Sequence, residues 1–435
     1  MVNSLGDFWK KLLTVLAILL PFTLLIPELE TVYVSDWFDI PFVVWVRFIV
    51  VSPFCLFVPG FLILEIIERK SRRKLPFGIV ISSSVLFSMF FISLFQYYVK
   101  LLGISHELVK ALFILINFIF VIIFLINRKK KNEEETFDER GQLKTWNSSL
   151  VVILFMFTLF SAVFVYVQQF VYEPFIRGDN FGYLSISNAI DKGALLLKPV
   201  GKYYKLTPPI LYEIFISGFS DLTGFPKVNA MMIMSILVAF ILPITFYSFA
   251  FQYSRNIKIG VISTCFYILL SGFGWVPFTY QHGIDIASSP QEMFLKIKLM
   301  TYKVLNDIIQ PQGAIPEGFK TYVLAILALL LILYALNSDL PPKFRIFFIS
   351  TLTSFAFLVH IEEALIMCPT FLLAYVLVSE KSVNEVRLDL LSVIIGFMLT
   401  LIIGSVKSEI FIARFTVVYL LTFLTLGSLL GYTYI

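Results

Sequence analysis

The residues of this chain best suited to chemistry fall in two long polar segments and at one helix end. The run Arg177-Gly-Asp179-Asn180-Phe-Gly-Tyr183 sets a carboxylate beside a cation, an amide and a phenol. Asp179 can cap a helix that stops before Gly193, and a helix N-terminus favours the ionised carboxylate. A carboxylate held this way can take the proton of an attacking hydroxyl. Downstream, Lys202-Tyr203-Tyr204-Lys205 sets two ammonium groups around two phenol rings. His282 lies in the second polar segment. His360-Ile-Glu362-Glu363 ends an apolar run, and Arg414 sits near the end of the last one. Asp179, His360 and Glu362 together are a donor set for a divalent metal, with Glu363 beside them to orient an acceptor. Each group also has a plainer role. Asp179 is a simple cap, the lysines and tyrosines are membrane-interface anchors, His360 to Glu363 is a hydrated helix end, and Arg414 is a snorkelling side chain. The sequence leaves both sets of roles open.

The elements that must position these groups follow from composition. Of 435 residues, 58% are apolar and 14% are charged, and the mean hydropathy is +0.88. Soluble domains carry about 25% charged residues, so too few are present to cover a water-facing surface. A soluble enzyme, a disordered chain and a disulfide scaffold are excluded, and a polytopic all-α membrane protein remains. The net charge of +5 does not indicate nucleic acid, because basic residues in such a chain set orientation. Cys55, Cys265 and Cys368 lie in apolar runs and read as small buried hydrophobes.

A span requires about 20 apolar residues. Such runs occur near 11–27, 40–67, 76–101, 107–127, 147–172, 226–250, 258–277, 318–337, 345–360, 363–379, 389–405 and 410–433, about twelve in all. The first reads as a helix or signal anchor, since no small-residue cleavage pattern follows it. Basic turns at 69–74, 128–131, 255–258, 343–345 and 381–387, with Lys10 and Lys11, all fall on one side of an alternating bundle. That side is cytoplasmic by the positive-inside rule, which places both termini inside. The opposite side carries the long segments 173–225 and 278–317, each with the pattern of a juxtamembrane amphipathic helix. Thr207-Pro208-Pro209 opens one, with Ile210, Leu211, Ile214, Phe215 and Gly218 on one face. Ser289-Pro290 opens another, with a stripe of Phe294, Ile297, Met300, Val304 and Ile308.

Asp179 followed by Tyr183, Ala189-Ile190 and Gly193, then Thr207-Pro208-Pro209 and Gly224, resembles the first outer loop of the C-type (GT-C) integral-membrane glycosyltransferases. Ile40-Pro41-Phe42, Arg47 and Phe57-Val58-Pro59-Gly60-Phe61 resemble the leading four-helix region of large archaeal membrane proteins. The resemblance implies two regions, 1–146 and 147–435. It implies transfer of a sugar from a polyprenyl-phosphate donor at the outer face of the plasma membrane, with membrane lipid as a partner. Asp179, His360 and Glu362 would be the catalytic residues. Arg177, Asn180, Tyr183, Lys202, Tyr203, Tyr204, Lys205, His282, Glu363 and Arg414 would bind substrate. The family's acidic loop usually follows the first span, and here four helices intervene. A transporter or flippase of lipid-linked substrates is an alternative, although charges gather at span ends rather than midway. A non-catalytic membrane subunit is another.

Overall fold

A computed structural model describes residues 2–134, 148–167, 179–191, 211–270 and 321–404, apart from positions 30, 32, 35, 36, 72–74 and 339 and scattered positions between 361 and 380. Every regular element among the described residues is helical. In chain order these are α1 (Val2–Thr23), α2 (Phe42–Leu56), α3 (Val58–Ser71), α4 (Phe77–Leu101), α5 (His106–Glu134), α6 (Ser148–Val167), α7 (Asp179–Asp191), α8 (Leu211–Thr223), α9 (Lys227–Ser254), α10 (Ile257–Leu270), α11 (Tyr322–Leu336), α12 (Pro342–Val359) and α13 (Val383–Gly404).

Proline sets several boundaries. Pro41, Pro76, Pro226 and Pro341 stand at the positions that open α2, α4, α9 and α12, where a missing N–H costs nothing. Pro53 inside α2 is followed by a break at Phe57, so the apolar run 40–67 is two abutting helices, α2 and α3. α4 ends at Leu102 and Gly103, whose φ of 64° only glycine adopts freely.

Six helical stretches are long and apolar enough to cross a membrane: Phe42–Glu68, Phe77–Leu101, His106–Ile123, Lys227–Ser254, Pro342–Val359 and Val383–Ile403. Four shorter apolar helices accompany them: Lys11–Thr23, Val152–Val163, Ile257–Tyr267 and Val323–Leu336. Each coincides with an apolar run of the sequence. The run 363–379 is described only in part, and 410–433 lies outside the described residues. Large apolar side chains stand outward, among them Ile119, Ile122, Phe155, Met156, Ile262, Phe266, Met398 and Ile402. In water that surface would be an aggregation liability. In lipid it is the solvent-matched surface.

α4 is the central helix. Gly60 of α3 packs so closely on it that a Cβ there would overlap the Ser84 carbonyl, and the Gly60 N–H donates to Ser88 Oγ at 2.8 Å. Ser82, Ser84 and Ser93 return their hydroxyls to the carbonyls four residues back, so these polar groups are satisfied in the helix. The largest buried cluster draws Phe54, Phe87 and Phe113 together with Phe215, Phe219, Phe348 and Phe355. One core therefore crosses residue 146.

Ring and hydroxyl pairs give the helix directions. Phe87 meets Phe348 and Phe90 meets Phe355, so α4 and α12 run the same way. Ser82 bonds Thr245, and Gly78 packs on Ser248, so α9 runs opposite to α4. Lys100, Lys227 and His360 consequently share one end of the bundle. At the other end, buried Arg345 pairs with buried Asp389 at 2.6 Å. Asp389 also accepts from the Tyr375 hydroxyl at 2.6 Å and lies 3.5 Å from Lys381. Lys381 caps the end of α11 by donating to the Leu336 carbonyl.

Candidate functional site

At the Lys100 end, two short helices lie side by side across the tips of α4 and α9. On α7, Tyr183, Ser187 and Asp191 are spaced by four residues, and on α8 Glu213, Ser217 and Asp221 have the same spacing. That period aligns each set along one helix face. The Tyr183 hydroxyl is 3.0 Å from Thr321 Oγ1, at the start of α11, and its ring stands edge-on to Tyr212. One end of the α7–α8 seam therefore abuts α11.

The other end is an ionic clamp. Lys100 Nζ donates to Asp191 Oδ1 at 2.6 Å, to Ser217 Oγ at 2.6 Å and to Asp221 Oδ2 at 3.1 Å. All three of its protons are thus used. Ser217 Oγ passes its own proton to Asp191. Lys227, the first residue of α9, donates to Asp191 Oδ2 and to Asn188 Oδ1, the latter at 2.7 Å.

Arg47 is a second hub. Its guanidinium is wholly buried and donates to the Leu222 carbonyl at 2.9 Å, the Asp221 carbonyl at 2.6 Å and the Ile26 carbonyl. The first two are acceptors in the last turn of α8 that have no partner within the helix, and a cation there also suits the helix dipole. Gly224, with φ of 70°, turns the chain directly over this guanidinium, and a Cβ would come within 3.1 Å of Arg47 Cδ. Glu28 completes the hub, with Arg47 at 3.2 Å, His106 at 2.7 Å and Lys110 at 3.4 Å. Glu28 belongs to the connector between α1 and α2. Asn229 holds the same connector by pairing with both backbone groups of Val34 at 3.0 and 2.9 Å.

The electrostatics follow from burial and partners. Burial alone would raise the Glu28 carboxyl, but His106 and Arg47 hold it at about 2. Burial likewise opposes ionisation of Asp191, yet Lys100, Lys227 and Ser217 lower its pKa. Asp221 is pushed the other way: burial raises it, and the neighbouring Asp191 charge adds to that against the pull of Lys100. Burial pushes Glu213 up to about 8, which leaves it neutral at pH 7. The seam thus holds ionised and neutral carboxyls within two helices.

Asp179 and Asn180 are the first two residues of α7, so the helix begins where the capping pattern places it. Their side chains are not among those described. Asp179 lies about 18 Å along the helix from Asp191, at 1.5 Å per residue, one turn from Tyr183 and so on the α11 side of the seam. His360 follows the last turn of α12, half-buried, with its N–H donating to the Ala356 carbonyl at 2.9 Å. Arg177, Lys202, Tyr203, Tyr204, Lys205, His282, Glu362, Glu363 and Arg414 lie outside the described residues. Among the described residues no group of three or more His, Cys, Asp or Glu is placed to hold a metal. Lys100, Asp191, Ser217, Asp221 and Lys227 were not singled out by sequence reading. The signal that could have found two of them, Ser217 and Asp221, is the four-residue spacing of Glu213, Ser217 and Asp221 in an otherwise apolar helix. No family model, curated protein or solved structure matches the chain.

Proposed function

We propose that the chain is a membrane glycosyltransferase of the C type, with about twelve spans and both termini on the cytoplasmic side. It moves a sugar from a polyprenyl-phosphate donor to a hydroxyl acceptor at the Lys100 end of the bundle, taken as the outer face of the plasma membrane. Asp179 is the base. It takes the acceptor proton as the acceptor oxygen bonds to the anomeric carbon and the bond from that carbon to the phosphate oxygen breaks. The cations at Arg177, Lys202 and Lys205 steady the polyprenyl phosphate that departs. The lipid tail stays in the bilayer, so the reacting atoms meet at the membrane surface.

The observation that carries this reading is the placement of Asp179. It opens a helix whose opposite end is fixed to the membrane bundle by Lys100 and Lys227. A base must hold a set position relative to the lipid surface, and an anchored surface helix supplies that. Ser82, Ser84 and Ser93 of α4 return their hydroxyls to carbonyls of their own helix, which fits helix packing.

The test uses the full chain in lipid nanodiscs with polyprenyl-phosphate donors carrying a labelled hexose, and reads release of polyprenyl phosphate. Chain-dependent release together with a new glycosidic bond supports the reading. Donor that crosses a liposome membrane chemically unchanged overturns it in favour of a flippase.

A further inference from the structure

We infer that Lys100, from the fourth helix, is a positioning residue that sets where Asp179 stands; this rests on the proposed role of Asp179 as base. Five helices, α1 to α5, precede the region that carries the transferase resemblance. In the polar network α4 is tied to α7 by the Lys100–Asp191 pair, at 2.6 Å, beside the apolar cluster of Tyr97, Ile190 and Ile214. Lys100 simultaneously holds Ser217 and Asp221 of α8, so a single ammonium joins three helices. Its side chain is 18% exposed and that of Asp191 27%, which removes much of the screening that makes open surface pairs weak.

The geometry turns a local bond into a lever. α7 is a short rigid rod of 13 residues. Asp191 is its last residue and Asp179 its first, about 18 Å apart. At the Asp179 end the Tyr183 hydroxyl meets Thr321, its ring stands edge-on to Tyr212, and Leu184 enters the main core. Loss of one of the two ammonium partners of Asp191 lets that end of the rod shift, and a displacement of about 1 Å at a catalytic group costs on the order of 10²-fold in rate. Lys227 contacts the same carboxylate from the other side, so the clamp has two jaws, one from each region of the chain.

The experiment measures position and rate separately on the full chain in nanodiscs. Spin labels go at Ser185, exposed on α7, and Leu102, exposed just beyond α4, with half-buried Cys265 replaced by serine. The distance distribution is narrow in the parent and broad in Lys100→Met, and Lys100→Arg restores it. In the transfer assay Lys100→Met loses about 10²-fold in kcat, while KM for the donor changes by less than about twofold, and Lys100→Arg recovers most of the loss. Asp191→Asn, which preserves shape, gives the same split and serves if Lys100→Met does not fold. A narrow distribution in both variants overturns the inference, as does a broad one with unchanged kcat. A parent that shows no transfer, with a broadened Lys100→Met, overturns the transferase reading and leaves the anchoring of α7 standing.

Discussion

Lys100 and Asp191 are 91 residues apart in sequence and their charged atoms are 2.6 Å apart in space. The pair joins the last turn of a membrane-spanning helix to the last residue of a surface helix. Most of what is specific to this end of the molecule depends on it. Arg47 does the same for α8, which is buried on nearly every side rather than lying as an amphipathic surface helix, so the two short helices are both held by side chains from α2 and α4.

Arg47 holds the α8 terminus through the Leu222 and Asp221 carbonyls and the α1–α2 connector through the Ile26 carbonyl and the Glu28 carboxylate. Removing one partner of a buried ionic set leaves the others unsatisfied, at a cost of about 3–5 kcal/mol. Arg47→Met should lower the thermal midpoint in detergent markedly. Arg47→Lys should recover little of it, because an ammonium cannot reproduce the planar fork. Full recovery by lysine would show that charge alone matters here.

Acid should loosen the connector between α1 and α2. The Glu28 carboxyl is held at about 2 against an ordinary 4.5, so its ionised form stabilises the fold. That contribution is complete above about 4.5 and is lost as pH falls from there towards about 2. Thermal midpoints measured down a pH series should fall across that window, and Glu28→Gln should flatten the fall. An unchanged slope in the variant would place the acid sensitivity elsewhere.

The close approach of α3 to α4 rests on Gly60. A methyl group there meets the Ser84 backbone rather than a movable side chain. Gly60→Ala should therefore destabilise by about 1–3 kcal/mol, despite alanine's better helix propensity. A neutral or stabilising result by thermal unfolding would mean the two helices can part freely.

At the far end, Arg345 and Asp389 are both buried and paired. Arg345→Met and Asp389→Leu should each destabilise by about 3–5 kcal/mol, while the double variant should recover much of the loss. A thermal double-mutant cycle measures this. Strict additivity would deny the coupling.

Six helices long and apolar enough to span were legible because a bilayer demands about 20 apolar residues in a row, and four further runs are shorter apolar helices among the described residues. Helices covering Asp179–Asp191 and Leu211–Thr223 were legible from the sequence pattern, while the Pro208-Pro209 start lies outside the described residues. The break at Phe57 was not legible, because the apolar run continues through it. The clamp was not legible either. Lys100 reads as an ordinary charged helix end, and its partners lie 91, 117 and 121 residues on, so only tertiary packing joins them. Asp191 was read as part of a helix that Asp179 begins, and its structural importance comes from the two lysines that reach it. Local spacing carries no record of such pairs.

The role of Asp179 as the base of a sugar transfer is tested most directly by the turnover of Asp179→Asn with a polyprenyl-phosphate sugar donor in nanodiscs. The predicted result is a fall in kcat of about 10²–10⁴-fold in a protein that inserts and unfolds like the parent. Full turnover by Asp179→Asn would contradict the claim.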